Sequence, residues 1–241
     1  MATRSVLKRS VRTRRALPVL PVVSVFLLAG CGVAGTQFHP GLAAQVGDQT
    51  ISTRHVDQVT HDACKGLETL NRGSAQPSTP TPMSTLTSQV TTALVEKLVA
   101  EQLADDYGVT PTSDYKGNVA QTAKQLTKLS SAEKDAVQEV VDAQAYMQDV
   151  MVQIGGIELE KQGQTDAGAE DKYNEGLKQL DAWVADHDVH INPKYAIEIG
   201  AEEPVDTALS VAVSKQAKNG IAANPGAAYT GSLPGSFVCF D

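Results

Sequence analysis

Ala43-Ala44-Gln45-Val46-Gly47-Asp48-Gln49-Thr50-Ile51-Ser52 decides how the rest of the chain folds. Two short runs of extended character flank a Gly-Asp pair, a dipeptide that turns a chain back on itself. The reading is two short strands. Thr53 follows, with a hydroxyl able to cap the first turn of a helix. Val56, Val59, Ala63, Leu67 and Leu70 then recur at three- and four-residue spacing, one apolar helical face. Gly73 ends that helix.

Ser74 to Pro82 is rich in Pro, Ser and Thr and reads as a solvated spacer with no core residue. Met83 to Tyr107 is the longest periodic segment. Met83, Leu86, Val90, Leu94, Leu98 and Leu103 share one side, Gly108 is placed for a C-cap, and Pro111 blocks continuation. A third helix is expected from about Thr112 to Leu129, carried by Tyr115, Val119, Ala123, Leu126 and Leu129. Ser130 with Glu133 is a capping-box pattern and opens a fourth helix that runs to Gly155-Gly156. Ile157 to Ala169 stays ambiguous. A fifth helix spans about Glu170 to Asp186, burying Tyr173, Leu177, Leu180 and Trp183.

The period then changes to two. Val189, Ile191, Tyr195, Ile197 and Ile199 alternate with polar residues across Asp188 to Gly200, so this stretch reads as a strand, with Pro193 at an edge or bulge. A strand pair needs support, and Ala43 to Ile51 is the available partner. The expected fold is mainly α with a small antiparallel β-sheet, closed by pairing its N- and C-terminal strands. The tail, Ala201 to Asp241, is expected to wrap the domain.

The N-terminus has the three parts of an export signal. Arg4, Lys8, Arg9, Arg12, Arg14 and Arg15 form a cationic region, and Ala16 to Leu28 an apolar one. The apolar part falls short of the about 20 residues a spanning helix needs. Leu27-Leu28-Ala29-Gly30-Cys31 resembles a bacterial lipobox. That resemblance implies cleavage before Cys31, diacylglycerol on its sulfur, and an extracytoplasmic, membrane-anchored location. The organisation expected is a signal over residues 1–30, a lipidated tether over 31–42, a helical domain over 43–200 and a tail over 201–241. Arg14-Arg15 leaves twin-arginine export open beside the general route.

The chain carries 20 Lys+Arg and 28 Asp+Glu, formally −8. Loss of the six signal cations, with no acid, takes it from −8 to −14. So acidic a surface repels phosphate backbones, and nucleic acid is not an expected partner. Cys64 and Cys239 remain once Cys31 is taken by lipid, an even pair in an oxidising compartment. A disulfide is the expected state, and two free thiols the alternative.

No stretch specifies a reaction. His187-Asp188-Val189-His190 lacks the spacing of a metal site, and His55 and His61 do not share a helical face. There is no Gly-x-Ser-x-Gly elbow and no phosphate-cradling glycine loop. No cofactor is expected. Met147 and Met151, one turn apart, could line an adaptable apolar groove together with Leu94 and Leu98, or simply fill the core.

Three stretches carry a family resemblance. Ala43 to Ser52, with Val56 and Asp57 following, resembles the opening of the SurA-like N-terminal chaperone domain of extracytoplasmic foldases. Leu94 to Ala104, then Tyr107-Gly108-Val109, is similar to that domain's long helix and its exit. Asn192-Pro193-Lys194-Tyr195 and the tail resemble a variant found in actinobacterial lipoproteins. The resemblance covers roughly residues 43–200. It implies binding of unfolded or extended segments of exported polypeptides. Such foldases also carry parvulin prolyl-isomerase domains, and the interval between the fourth helix and the closing strand is too short for one. A non-enzymatic, chaperone-like lipoprotein is therefore the expectation. The alternative is a cell-envelope docking protein that binds one specific partner.

Overall fold

The computed structural model describes residues 41–72, 79–199, 213–220 and 226–240. The stretches expected to be an export signal, a lipobox with Cys31 and most of a tether lie outside these residues, as does Gly73.

Strands β1 (Leu42–Val46) and β2 (Gln49–Ser52) form an antiparallel hairpin. Gly47 takes a positive φ of 55° in the turn, a conformation most side chains resist. Register slips between Leu42 and Ala44, and the irregularity has a packing consequence. Ala43 and Ala44 are adjacent yet both fully buried, one in each of two apolar clusters. A regular strand would send them to opposite faces, only one of them inward.

Helix α1 (Thr53–Asn71) starts on Ser52, whose hydroxyl accepts the N–H of His55 at 3.1 Å. The cap is thus one residue earlier than the sequence indicates, and Thr53 is the first helical residue. Helix α2 (Met83–Tyr107) has the bounds read from the sequence, with Gly108 left-handed at φ 65° and its N–H donated to Ala104 O and Asp105 O. Thr91 is fully buried in it and satisfies its hydroxyl on Thr87 O at 2.7 Å.

Helix α3 (Ser113–Gln125) is shorter than expected and contributes no buried residue. Of its predicted core positions only Leu126, just past its end, is buried. The apolar spacing there is real, but it faces the edge of the domain. Asp149 anchors the start of α3, accepting Thr112 N–H at 3.0 Å and the Thr112 hydroxyl at 2.5 Å.

Helix α4 (Ser131–Lys161) opens with the full capping box. It does not stop at Gly155-Gly156 but runs through both, because α5 (Ala169–Asp186) crosses there. A Cβ on Gly155 would strike the Lys172 carbonyl, and one on Gly176 would strike the Met151 carbonyl. These glycines are contact points between backbones, not helix stops.

Strand β4 (Val189–Ile191) pairs antiparallel with β1, giving the order β2-β1-β4. The chain closes on itself as expected, but the strand is only three residues long. Asn192 stops it: its side chain accepts Lys194 N–H at 3.1 Å and donates to Leu42 O at 3.0 Å. Pro193–Tyr195 is a 3-10 turn, and Ala196 has φ 50°. The apparent alternation beyond Ile191 arises because this turn drops Tyr195 into the core, 2% exposed. Burial pushes its phenol up to about 12.

The spacer Ser74–Pro82 is not wholly solvated. β3 (Thr81–Pro82) pairs with β5 (Val238–Cys239) of the tail, and Pro82 is buried. Short helices α6 (Lys215–Gly220) and α7 (Ala227–Thr230) precede β5. The described part of the tail belongs to the same compact unit as the helices. Cys64 and Cys239 are joined in a disulfide with Cα atoms 5.7 Å apart, pinning the tail to α1.

Two apolar clusters make the core. One packs β1, α2, α4 and α5 around Val95, Val99, Met151, Ile154 and Leu180. The other packs α1 against the first halves of α2 and α4 around Val56, Val90, Val137 and Tyr195. α2 and α4 cross both clusters and form the spine of the domain.

Candidate functional site: a cleft beside strand β2

β2 ends the sheet, so one of its edges has no strand partner among the described residues. An unpaired edge presents alternate N–H and C=O groups to whatever lies beside it. Here a cleft of about 330 Å³ runs alongside, lined by Thr50, Ile51 and Ser52 of β2, His55 of α1, and residues of α2 and α4. Its size is at the lower end for a ligand site.

The floor is apolar. Leu94 and Leu98, 7% and 8% exposed, lie one turn apart on α2, with Ile51 beside them. The rim is charged. His55 Nε2 lies 2.7 Å from Glu139 Oε1, tying α1 to α4. Lys97 Nζ lies 3.5 Å from Glu101 Oε1 along α2. Both pairs are partly exposed, so they shape the rim more than they stabilise the fold. A strand edge over an apolar floor can accept an extended chain, main chain to main chain, with a side chain below.

The four residues grouped in the sequence reading do not share this surface. Leu94 and Leu98 line the cleft, but Met147 and Met151, 6% and 0% exposed, are packed in the core. The Tyr173 hydroxyl points at Met147 Sδ at 3.9 Å. The two methionines lie on the face of α4 that meets α2 and α5, so helical spacing here marks packing. Ile51, His55, Lys97, Glu101 and Glu139 were missed. Lys97 and Glu101 extend the Leu94–Leu98 face at helical spacing and were legible. His55 and Glu139 are 84 residues apart, and no local signal joins them.

Glu68 lies beside the disulfide, with Oε1 3.7 Å from Cys64 Sγ and accepting Phe240 N–H at 3.2 Å. Among the described residues, Cys64, Glu68 and Cys239 are the group whose potential ligand atoms converge. Both sulfurs are committed to the disulfide, so no thiolate is free. His187 stacks on Trp183 at 3.8 Å and does not converge with His190 on a shared site. Asp106, in the last turn of α2, accepts the Trp183 indole N–H at 2.8 Å. No helix of the described residues is long and apolar enough to cross a membrane.

The profile of the SurA-like N-terminal domain family matches residues 8–149. The chain belongs to the SurA-like N-terminal domain family. No curated protein and no solved structure matches it. The family match takes in β1, β2, α1, α2, α3 and most of α4. Every residue lining the cleft is therefore within the SurA-like region. α5, β4 and the disulfide-pinned tail lie beyond it. So does Asn192-Pro193-Lys194-Tyr195, the third stretch of the sequence resemblance.

Proposed function

We propose that this SurA-like domain is a chaperone-like module that holds unfolded or extended segments of exported polypeptides, anchored to the outer face of the cell membrane through Cys31. The observation that carries the binding reading is the edge of β2, without a strand partner among the described residues, beside a cleft floored by Leu94 and Leu98. Main-chain pairing is indifferent to client sequence, as a holdase requires, and the apolar floor adds affinity without strict shape. The lipobox supports the anchor: a diacylglycerol thioether supplies two chains, and stable attachment takes two membrane signals.

The module is proposed to hold clients without catalysing a reaction on them. The interval between α4 and β4 is occupied by α5, which supports a domain free of an inserted isomerase.

Light scattering tests the holding function. A chemically denatured client diluted into buffer should aggregate less in the presence of the protein, in proportion to its concentration. No suppression at molar excess, with one stoichiometric partner recovered from cells, would replace the holdase by a docking module. A proline-peptide assay should show no acceleration of cis–trans exchange. For the anchor, Cys31→Ala should leave signal-bearing precursor that takes up no labelled fatty acid. Acylation of that variant would refute the lipobox reading.

A further inference from the structure

The disulfide that pins the tail has a third member. Cys64 and Glu68 are four residues apart on α1 and so share one helical face. Glu68 Oε1 lies 3.7 Å from Cys64 Sγ, and β5 brings Cys239 to the same point. The two sulfurs and a Glu68 oxygen all lie within 4.8 Å of one another. Both cysteines are buried, and Glu68 is half-buried beside them. Glu68 also accepts Phe240 N–H at 3.2 Å, which holds the chain end. That bond fixes where the carboxylate points, as an outer hydrogen bond does for a metal ligand.

The spacing suits a tetrahedral ion. With Zn–S of about 2.3 Å and Zn–O of about 2.0 Å, zinc separates sulfur from oxygen by about 3.5 Å and the two sulfurs by about 3.8 Å. The Cys64–Glu68 separation is already close to the first value. The Cα atoms of the cysteines, 5.7 Å apart, set a span that two such side chains bridge through an ion as well as through a bond. Two thiolates with one carboxylate favour zinc over magnesium or calcium, which prefer oxygen alone. Three protein ligands leave the fourth position to water.

We propose that Cys64, Cys239 and Glu68 form a zinc site when the chain is reduced, so that one joint holds the tail in two alternative ways. A dithiol delivers two electrons and two protons to the Cys64–Cys239 bond and leaves as a cyclic disulfide. The two thiols so formed lose their protons as zinc binds their sulfurs and the Glu68 carboxylate. In the reverse direction a disulfide acceptor takes two electrons and two protons, the Cys64–Cys239 bond re-forms, and zinc departs. Either staple keeps β5 against β3 and the tail against α1. Zinc release is thereby tied to oxidation of this one pair.

The test uses the full chain in detergent, reduced with a dithiol and desalted without oxygen. Co²⁺ should give the thiolate charge-transfer absorption of a tetrahedral site, and Zn²⁺ should abolish it at one equivalent per chain. Zn²⁺ about a hundredfold above its Kd should raise the Tm of the reduced chain by about 5–10 °C. The oxidised chain, and the Cys64→Ser, Cys239→Ser double variant, should show neither effect. Glu68→Gln keeps an acceptor for Phe240 N–H but loses the charge. It should leave the Tm of the oxidised chain unchanged and weaken zinc about tenfold or more in the reduced one. Should that variant fold poorly, the cobalt spectrum of the unaltered chain stands as an independent reading. Absence of the charge-transfer band, or zinc binding that survives loss of both cysteines, overturns the site. Equal zinc affinity in Glu68→Gln overturns the three-ligand set.

Discussion

Gly155 of α4 lies against Gly176 of α5 at the point where the two helices cross. A Cβ on either would enter the other helix's backbone, at the Lys172 carbonyl from Gly155 and the Met151 carbonyl from Gly176. Gly156, one residue along, is different: its Cβ would meet the flexible end of Lys172, at 3.6 Å. Gly155→Ala and Gly176→Ala should each destabilise by about 1–3 kcal/mol, the usual cost of forcing extra volume into a packed contact. Gly156→Ala should be neutral or stabilising by up to about 1 kcal/mol through helix propensity. Urea denaturation of the three variants checks this, and equal effects at all three positions would contradict the packing described.

The Cys64–Cys239 disulfide spans 175 residues. It holds β5 against β3 and the tail against α1. Constraint of the unfolded chain over so long a loop contributes roughly 4–5 kcal/mol in the loop-entropy description. Cys64→Ser with Cys239→Ser, or reduction of the native chain, should lower Tm by about 10 °C or more. Melting curves with and without reductant measure it. Free-thiol labelling of both cysteines in native protein would show that the bond does not form.

Glu96 is half-buried on α2 near Tyr173, and burial raises its carboxyl above the usual glutamate range. A raised acid binds more protons folded than unfolded. Its contribution is therefore full at low pH and is lost as pH rises through the raised value. At neutral pH the charged form opposes folding. Glu96→Gln should stabilise at pH 7, and the gain should vanish below about pH 4, where the native side chain is itself neutral. A gain independent of pH would assign the effect to something other than ionisation.

Local chemistry made much of this fold legible. The Gly-Asp turn, the Ser130–Glu133 box and the Gly108 C-cap each act within a few residues, and each formed where the sequence placed it. What escaped was decided across the chain. Gly155-Gly156 looked like a helix stop until α5 was present to need the space. Ile197 and Ile199 looked like a continued strand until Asn192 and Leu42 fixed a turn 150 residues from its partner. The site divides in the same way. Leu94 and Leu98 were visible as a stripe, but only tertiary packing shows that Met147 and Met151 lie in the core and that His55 meets Glu139.

Hydrogen exchange with and without an unfolded client tests the binding site most directly. Main-chain amides of Gln49–Ser52, on the edge strand, should gain protection when client is present, together with the α2 segment from Leu94 to Glu101. Helix α5 and the tail should be unchanged. Protection confined to α5 or the tail, or no change in β2 while the client is demonstrably held, would contradict a cleft built on the free edge of that strand.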